Sequence, residues 1–520
     1  MSKFIFTTLA ISLLVVAIPV SGVATGPTSI IVTPAAPKVT DAERHAELTR
    51  RRATVAAKMA DKSMLVLFSA EPKLYANDVD YVYRQENNLY YLTALKQVGA
   101  TLVITKEGPN VTETLFLPKR NPRREAWEGE MYSREQASSV SGLSRILYSA
   151  ELDKFLAAIA AKQAFTAGET SIAIQPSIYL LLPMSNEDDN GLREFRLEWE
   201  LSKKLAGLKV ENAQPIFAEL RHIKSPYELK LLQHAIDITT EAQMRSMATV
   251  GRAAWEYEVH AEVEYTFRRR NADFWGYPSI VGCGRNATTL HYVESQGPVR
   301  KGELLLMDVG AEYEHYTADV TRTYPVNGKF TKEQAEIYQI VFDAQEAVAR
   351  ATKPGVTYQQ LNTIARQTIS DGLFKLGLVT DKTSNQVGTW FIHGLGHWLG
   401  MNVHDVGRYG APLKAGMVFT NEPGIYIRED ALDNLSDTPA NREFKEKVRP
   451  VFEKYKNIGV RIEDDMLVTE TGVKWMTEKL PRTIRDIEAF MAAAPKQVTL
   501  SQRLKNNPTA AMFAQSLATR

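Results

Sequence analysis

The chain has 520 residues, of which 44% are hydrophobic and 24% are charged, and its formal net charge is +1. A chain of this length buries large cores and is long enough for two or three domains, whereas a net charge near zero provides no electrostatic case for binding nucleic acid. The single cysteine, Cys283, excludes an internal disulfide and a zinc site built from thiolates.

The N-terminus has the pattern of a secretory signal peptide. Lys3 precedes an apolar stretch at residues 4–20, and small residues at 22–24 suit signal-peptidase cleavage. We therefore predict a signal peptide over residues 1–24, export to the periplasm or the medium, and no stable membrane span after processing. The alternative is a permanent anchor, because the apolar stretch approaches the shortest length that spans a bilayer. Residues 25–40, which are rich in proline, are predicted to be an extended linker.

Residues 41–220 are predicted to form an α/β N-terminal domain. Alternating charges and alanines over residues 41–60 indicate an exposed helix. Residues 84–93 are rich in aromatic side chains and, on physical grounds alone, favour an aromatic core strand. Short buried strands are predicted at apolar runs over residues 64–68, 101–105 and 114–117.

Two aspartates mark a predicted hairpin in the second half of the chain. Asp308 closes an apolar run, and Asp319 lies eleven residues later in a strand pattern rich in threonine and tyrosine. A strand, a turn and a strand would bring the two carboxylates together. Asp308 alone could simply end a strand in a turn. Asp319 is harder to explain in that way, because a buried aspartate in a strand needs a partner or a cation.

A long helix is predicted directly after this hairpin. Thr331 and Gln334 form a capping-box pattern, apolar residues continue at helical spacing to Ala351, and Pro354 ends the pattern. Such a helix would cover one face of a sheet. Further along, residues 429–456 form a charged segment that is predicted to be an insertion, and a charged run is usually a solvated face.

Histidines are concentrated in one glycine-rich segment. Residues 391–407 hold three of the nine histidines, His393, His397 and His404. His397 alone could be a core histidine whose hydrogen bonds are satisfied. The surrounding glycines favour a binding site, because they let the backbone approach a ligand closely.

Two glutamates, Glu422 and Glu463, follow the histidine segment and complete a candidate metal-binding set. Four carboxylates and one imidazole suit two hard divalent cations; the five side chains are Asp308, Asp319, His397, Glu422 and Glu463. Bound cations of this kind lower the pKa of water from about 15.7 towards about 7. The predicted reaction class is metal-assisted hydrolysis.

The chain resembles the pita-bread metallopeptidases, specifically the proline-specific branch that contains aminopeptidase P and prolidase. Four blocks in order over about 160 residues argue strongly against a chance match. Weaker likeness extends to residues 223–229 and to the aromatic segment at 84–93. The four blocks are residues 307–310 with 316–323, residues 393–397 with 403–407, residues 421–426, and residues 459–465.

The resemblance implies a fold. It consists of an aminopeptidase P-like α/β N-terminal domain and, over residues 221–485, an α+β pita-bread catalytic domain, which is an antiparallel sheet with outer helices. Residues 486–520 would be a C-terminal tail. No clear internal sequence repeat is visible, so the pita-bread expectation depends on the resemblance.

The resemblance also implies a function, namely a dinuclear-metal Xaa-Pro aminopeptidase that releases the N-terminal residue from peptides with proline second. Asp308 would bind one metal, His397 and Glu422 the other, and Asp319 and Glu463 would bridge the two. Glu422 would also relay a proton to the leaving nitrogen. The metals are expected to be Mn²⁺, the partners peptide substrates with an N-terminal Xaa-Pro, and the assembly a homo-oligomer, either a dimer or a tetramer.

Four more site residues come from the same resemblance. His291 and His404 would donate hydrogen bonds to the scissile carbonyl or the tetrahedral intermediate, and His393 would line the proline pocket. Arg461 would orient Glu463 if both lie on one strand; the alternative for Arg461 is a structural salt bridge.

The position of Trp398 directly after the histidine ligand favours the aminopeptidase P form of the block and hence longer peptides. The alternatives are a prolidase restricted to Xaa-Pro dipeptides and a noncatalytic pita-bread binding protein. Retention of every expected ligand type argues against the noncatalytic alternative.

Overall fold

The structure is a computed structural model, and it describes residues 27–183 and 189–493. The predicted signal peptide and the part of the predicted tail beyond residue 493 lie outside the described residues. Within the described ranges no helix combines the length and the apolar character needed to cross a membrane. Residues 27–40 contain no helix or strand. This segment is nevertheless docked on the protein, because the Thr33 N–H and hydroxyl both donate to Glu241 at 2.7 Å.

The first domain has an α/β architecture, as predicted. Its helices are α1 (Asp41–Lys58), α2 (Asn87–Thr93), α3 (Pro122–Glu128), α4 (Arg134–Ser141), α5 (Leu152–Ala160), α6 (Asp189–Glu194), α7 (Arg196–Ser202) and α8 (Gln214–His222). Its strands are β1 (Ser63–Phe68), β2 (Leu74–Ala76), β3 (Val79–Asp80), β4 (Thr101–Glu107), β5 (Asn110–Leu117), β6 (Ile146–Tyr148), β7 (Phe165–Ala167), β8 (Thr170–Ile172), β9 (Ser177–Leu180) and β10 (Lys209–Asn212).

A mixed sheet in the order β10-β9-β1-β4-β5-β6 forms the centre of this domain. Each predicted apolar run lies within one of its strands, because a strand covered on both faces is apolar throughout. On β1, Leu65 and Leu67 pack into the core on one face, whereas Met64 and Val66 pack into the core on the other. The sheet is therefore a buried layer between two layers of helices.

One local expectation for the first domain is wrong, and another is confirmed only in part, since the helix predicted over residues 41–60 forms as α1. The aromatic segment forms helix α2, in which all seven residues are buried, because Glu86 caps the helix by accepting from the Leu89 N–H at 2.7 Å. Helix α1 is not simply exposed. Its residues Arg51 and Arg52 are buried, and each donates to a backbone carbonyl of α2. Burying these long side chains with their hydrogen bonds joins the two helices.

The second domain combines antiparallel strands with long helices. Its helices are α9 (Pro226–Thr249), α10 (Glu256–Arg269), α11 (Lys332–Ala351), α12 (Tyr358–Leu376), α13 (Pro439–Tyr455) and α14 (Ile484–Ala493). Its strands are β11 (Phe274–Trp275), β12 (Ile280–Cys283), β13 (Leu304–Val309), β14 (Ala311–Tyr313), β15 (Tyr316–Thr317), β16 (Val320–Pro325), β17 (Val418–Asn421), β18 (Gly424–Tyr426), β19 (Gly459–Arg461), β20 (Asp464–Val468) and β21 (Val473–Trp475).

The paired strands of the second domain, within the described residues, are antiparallel, and the ladders are β12-β13-β16, β17-β20-β21, β18-β19 and β11-β14-β15. The predicted helix is α11, which begins at the Thr331 capping box and ends at Ala351. The charged segment at residues 429–456 contains α13, which buries Phe444, Val448 and Phe452 against the core and leaves its charged face to solvent. Helix α14, which overlaps the predicted C-terminal tail at residues 486–520, packs Ile487 and Phe490 into this core.

Candidate metal centre and active-site cavity

The predicted two-aspartate hairpin is formed by β13 and β16. Asp308 pairs with Thr321 across the ladder, and Asp319 immediately precedes β16. The turn between them contains β14 and β15, with Glu314 and His315 at φ values of 49° and 65°. The hairpin brings both aspartates to the same end of the ladder, and each is buried there.

His397 and Glu422 meet the hairpin from the other half of the domain. The backbone of the histidine segment runs beside β17, where the Thr420 N–H donates to the His397 carbonyl at 2.9 Å and the Glu422 N–H donates to the Leu395 carbonyl at 3.0 Å. These bonds place the His397 Nε2 atom 3.3 Å from an oxygen of Asp319 and 3.3 Å from an oxygen of Glu422.

Glu463 enters the cluster from the connection between β19 and β20. Its N–H donates to the Thr321 carbonyl at 3.1 Å, and its carboxylate accepts from the Thr321 hydroxyl at 2.6 Å. Candidate ligand atoms of Asp319, His397 and Glu463 all lie within 4.8 Å of one another. The five predicted ligands therefore converge from β13, the residue before β16, the histidine segment, the residue after β17 and the β19–β20 connection.

The buried carboxyl groups of this cluster have raised pKa values, which fits a site for cations. Burial raises the pKa of Asp319, with Asp308 adding to the effect. Burial also raises the pKa of Glu463 well above its usual range and that of Glu422 to about 7. Burial disfavours the charged form of His397, but Asp319 and Glu422 outweigh it and raise its pKa to about 9. Closely packed carboxylates without enough positive charge repel one another, so these oxygens fit divalent cations.

A cavity of about 660 Å³ opens over the cluster. All five predicted ligands line it, as do His291, His393, His404 and Arg461, so the structure brings every predicted site residue to one place. Apolar side chains complete the wall, among them Ile280, Leu290, Val293 and Val403. A concave, partly apolar site with converging polar groups is typical of a small-ligand or peptide-terminus pocket.

The three other histidines occupy distinct positions in this cavity. The His393 Nε2 atom lies 2.8 Å from the Tyr426 hydroxyl, which fixes its ring against one wall. The His404 ring packs edge-on against the His397 ring, with centroids 4.3 Å apart. His291 and His404 both line the cavity, and both are exposed.

Arg461 differs from its expected geometry. The condition attached to Arg461, one strand carrying both Arg461 and Glu463, is not met, because β19 ends at Arg461. The Arg461 guanidinium lies 2.5 Å from a carboxylate oxygen of Asp308. It also donates to the Thr321 hydroxyl at 3.1 Å, and this hydroxyl donates in turn to Glu463. Arg461 thus holds one acidic residue directly and another through Thr321.

Sequence reasoning missed several residues around the cluster. The Tyr277 hydroxyl lies 2.5 Å from both Asp308 and Asp319. Asp465 is fully buried beside them and accepts from the Asp319 N–H at 3.2 Å. Tyr277 lies outside every motif, so no local signal indicated it, whereas the acidic run at residues 463–465 marked Asp465 as a charged position in a buried strand.

The glycines of the histidine segment do more than was expected. A Cβ on Gly394 would meet open space, which fits close approach by a ligand. A Cβ on Gly400 would lie 2.2 Å from the Asp405 carboxylate, and one on Gly407 would lie 2.5 Å from the Trp398 ring. These two glycines therefore allow the segment to pack on itself, and the ligand-approach explanation is wrong for them.

Comparisons with known proteins agree with this site. The family model for metallopeptidase family M24 matches residues 230–470, and that for the aminopeptidase P N-terminal domain matches residues 48–166. The chain is 36% identical over 463 residues to the Xaa-Pro aminopeptidase of Haemophilus influenzae, covering 86% of this chain and 97% of the relative. It is 33% identical over 461 residues to that of Escherichia coli, with coverages of 87% and 98%.

Solved structures of aminopeptidases P also match this chain. A variant of Escherichia coli aminopeptidase P in complex with substrate superposes with a TM-score of 0.74 at 30% identity, covering 88% of this chain and 99% of that chain. Proline aminopeptidase P II from Yersinia pestis superposes with a TM-score of 0.73 at 31% identity, covering 87% and 100%. Fold and site thus define a metal-dependent peptidase with an aminopeptidase P-type N-terminal domain and a pita-bread catalytic domain. The chain belongs to the Xaa-Pro aminopeptidases of metallopeptidase family M24.

Proposed function

We propose that this metal-dependent Xaa-Pro aminopeptidase works through the cluster at the base of the cavity. The main support for this proposal is that the candidate ligand atoms of Asp319, His397 and Glu463 lie within 4.8 Å of one another beneath an open cavity. Two divalent cations are proposed to occupy the cluster, where Asp308, Asp319, His397, Glu422 and Glu463 would hold them. Cations held there supply Lewis acidity and lower the pKa of water towards about 7.

The protein groups then divide the remaining work. Glu422 lines the cavity beside His397 and is proposed to carry a proton from the attacking water to the leaving nitrogen, since general acid–base catalysis needs a group within reach of both. Tyr277, Thr321 and Arg461 hold the carboxylates in place through their hydrogen bonds. Fixed ligand geometry lowers the reorganisation that the reaction requires.

Recognition of the substrate follows from the chemistry of proline. A peptide bond to proline carries no N–H, so a peptidase that grips extended backbone loses a hydrogen bond there. His291 and His404, both exposed to the cavity, are proposed to donate to the scissile carbonyl and to the developing oxyanion. His393 and the apolar wall are proposed to accept the proline ring.

We propose peptides longer than a dipeptide as substrates, with a prolidase-type restriction to Xaa-Pro dipeptides as the alternative. Support comes from the aminopeptidase P form of the histidine block and from the volume of the cavity, about 660 Å³. Trp398 itself is fully buried and packs on His222 and Tyr358, so its side chain does not contact the substrate. Trp398 therefore distinguishes the aminopeptidase P form of the histidine block, but its side chain does not itself select substrates by length.

Manganese is the proposed metal, because carboxylate-rich sites with an imidazole accept hard divalent ions. A homo-oligomer, a dimer or a tetramer, is proposed as the assembly. In its support, the β2–β3 hairpin of the first domain leaves Leu74, Tyr75, Tyr81 and Val82 more than half exposed. Clustered exposed apolar side chains are typical of interfaces. Export through the N-terminal signal peptide completes the proposal.

A metal and substrate assay tests the function. Exhaustive chelation is expected to abolish release of alanine from Ala-Pro-Ala, and Mn²⁺ is expected to restore it, while Ala-Ala-Ala remains uncleaved throughout. Faster hydrolysis of Ala-Pro than of Ala-Pro-Ala would favour the prolidase alternative. Full activity in protein shown by metal analysis to contain no metal would end the proposed mechanism.

A further inference from the structure

His404 lies in a part of the cavity wall that has no regular secondary structure. Residues 399–407 form neither helix nor strand, yet the His404 ring is held 4.3 Å from the His397 ring. A side chain that donates to a reacting carbonyl must be placed within a fraction of an ångström to act. Something other than helix or strand hydrogen bonds must therefore fix this segment.

The next residue, Asp405, holds residues 399–407 in place through buried contacts. Its N–H donates to the Trp398 carbonyl at 2.9 Å. Its side chain is only 1% exposed and accepts from the Arg221 guanidinium at 2.5 Å, and the Lys224 ammonium lies 3.8 Å from its other oxygen. Gly400 lacks a side chain where the Asp405 carboxylate packs. One buried carboxylate thus neutralises two buried cations directly beside His404.

Asp405 connects residues 399–407 to the first domain. Arg221 lies in the last turn of α8, and its guanidinium also donates to the Asn88 side chain of α2 at 2.9 Å. The N-terminal end of α2 and the residues just before it contact residues 399–407 at two further points. Arg84 donates to the Met401 carbonyl at 2.6 Å, and Asn87 donates to the Asn402 side chain at 2.8 Å.

We propose that Asp405 is a positioning residue: its buried ion pair with Arg221 makes the first domain part of the catalytic apparatus by fixing His404 in the cavity. This inference rests on the proposed role of His404. Neutralising Asp405 removes the nearest counter-charge of the buried Arg221 and Lys224, which a packed interior does not tolerate without rearrangement. The segment would shift, and displacement by about 1 Å can cost about 100-fold in rate.

A double-mutant cycle tests the proposal, because residues that act through one another are not additive. Asp405→Asn is expected to lower kcat on Ala-Pro-Ala by about 10- to 100-fold, with metal content unchanged. In the His404→Ala background the same substitution is expected to change kcat by less than about twofold, since the group being positioned is gone. Equal losses in both backgrounds would overturn the proposal, as would loss of metal in Asp405→Asn.

Arg221→Lys serves where Asp405→Asn does not fold. It keeps the positive charge but loses the planar fork that grips Asp405 and Asn88 together. We expect about a tenfold loss of kcat in the wild-type background and none in His404→Ala. Equal losses would again contradict the inference.

Glu241→Gln is the matched control. Glu241 is a fully buried carboxylate paired with Arg270 at 2.6 Å, and it lies outside the cavity wall. This variant is expected to lower the unfolding temperature while leaving kcat within about twofold of wild type in both backgrounds. A rate loss matching that of Asp405→Asn would reduce the Asp405 effect to general destabilisation and overturn the proposal. Wild-type protein that fails to cleave Ala-Pro-Ala would instead refute the proposed function itself.

Discussion

The Tyr277 hydroxyl lies 2.5 Å from a carboxylate oxygen of Asp319. The same hydroxyl lies 2.5 Å from Asp308. A phenol has one proton and can donate only one hydrogen bond, so one of these two short contacts needs a proton or a cation from elsewhere in the cluster. Tyr277 thus ties together the two aspartates that the hairpin brings side by side, and it does so from a connection outside the hairpin.

Removing this hydroxyl should loosen the metal site. We expect Tyr277→Phe to weaken metal affinity by about 10- to 100-fold, the range typical when a partner that orients a ligand is lost. Titration of the metal-free variant against a competing chelator measures the change. Tyr409→Phe removes a hydroxyl from the same cavity wall without touching an aspartate and should leave metal affinity unaltered; equal affinities for all three proteins would refute this role.

Ligation and substrate contact should be separable by mutation. Asp319→Asn is expected to reduce bound metal, because a buried charge shared by the proposed cations is lost. His404→Ala should retain the metal yet lower kcat about 100-fold, the scale seen when one donor to a developing oxyanion is removed. Metal analysis and steady-state kinetics on both variants distinguish the two. An empty metal site in His404→Ala, or wild-type turnover, would contradict the assignment.

The first domain contains an independent pH-dependent element. Burial raises the pKa of Glu198, in α7, to about 8, and Glu86 adds to the effect. A carboxyl whose folded-state pKa lies above its unfolded value of 4.5 stabilises the fold below that value, and this stability is lost as the pH rises towards 8. We expect Glu198→Gln to stabilise the protein at pH 8 relative to pH 5, by at most about 4 kcal/mol.

Thermal unfolding at the two pH values measures this effect. Glu200→Gln is a suitable control, because Glu200 lies on the same helix but its side chain is 49% exposed and pairs with Lys203. Its replacement should change the unfolding temperature little at either pH. If Glu198→Gln and Glu200→Gln give the same pH dependence, Glu198 does not stay protonated in the folded protein.

The N-terminal prediction concerns residues outside the described structure. Cleavage after the small residues at 22–24 should give an exported protein that begins near Thr25. The docked Thr33 would then lie close to the mature N-terminus. Intact-mass measurement of the exported protein checks the cleavage site, and a mass that includes residues 1–24 would favour the membrane-anchor alternative.

Much of the site was predictable because its determinants are local in sequence. Apolar runs ending in Asp308, the strand pattern around Asp319 and the clustered histidines each carry a signal that short-range chemistry explains. The order of these blocks then identified the family, and with it the pita-bread fold. The helix at Lys332–Ala351 was equally accessible, since its cap and its apolar spacing lie within the helix itself.

Other features depended on contacts that no local pattern encodes. The aromatic segment became helix α2 because a cap at Glu86 and burial against α1 outweighed the strand preference of its aromatic side chains. Arg461 pairs directly with Asp308 and not with Glu463, and β19 ends before Glu463. Tyr277 and Arg221 reach the site from outside the motifs. The sequence by itself determined which side chains could bind metal and act on a substrate. The packing of the two domains decided which other groups position those side chains, because a buried polar group is stable only where the fold provides a hydrogen-bond partner.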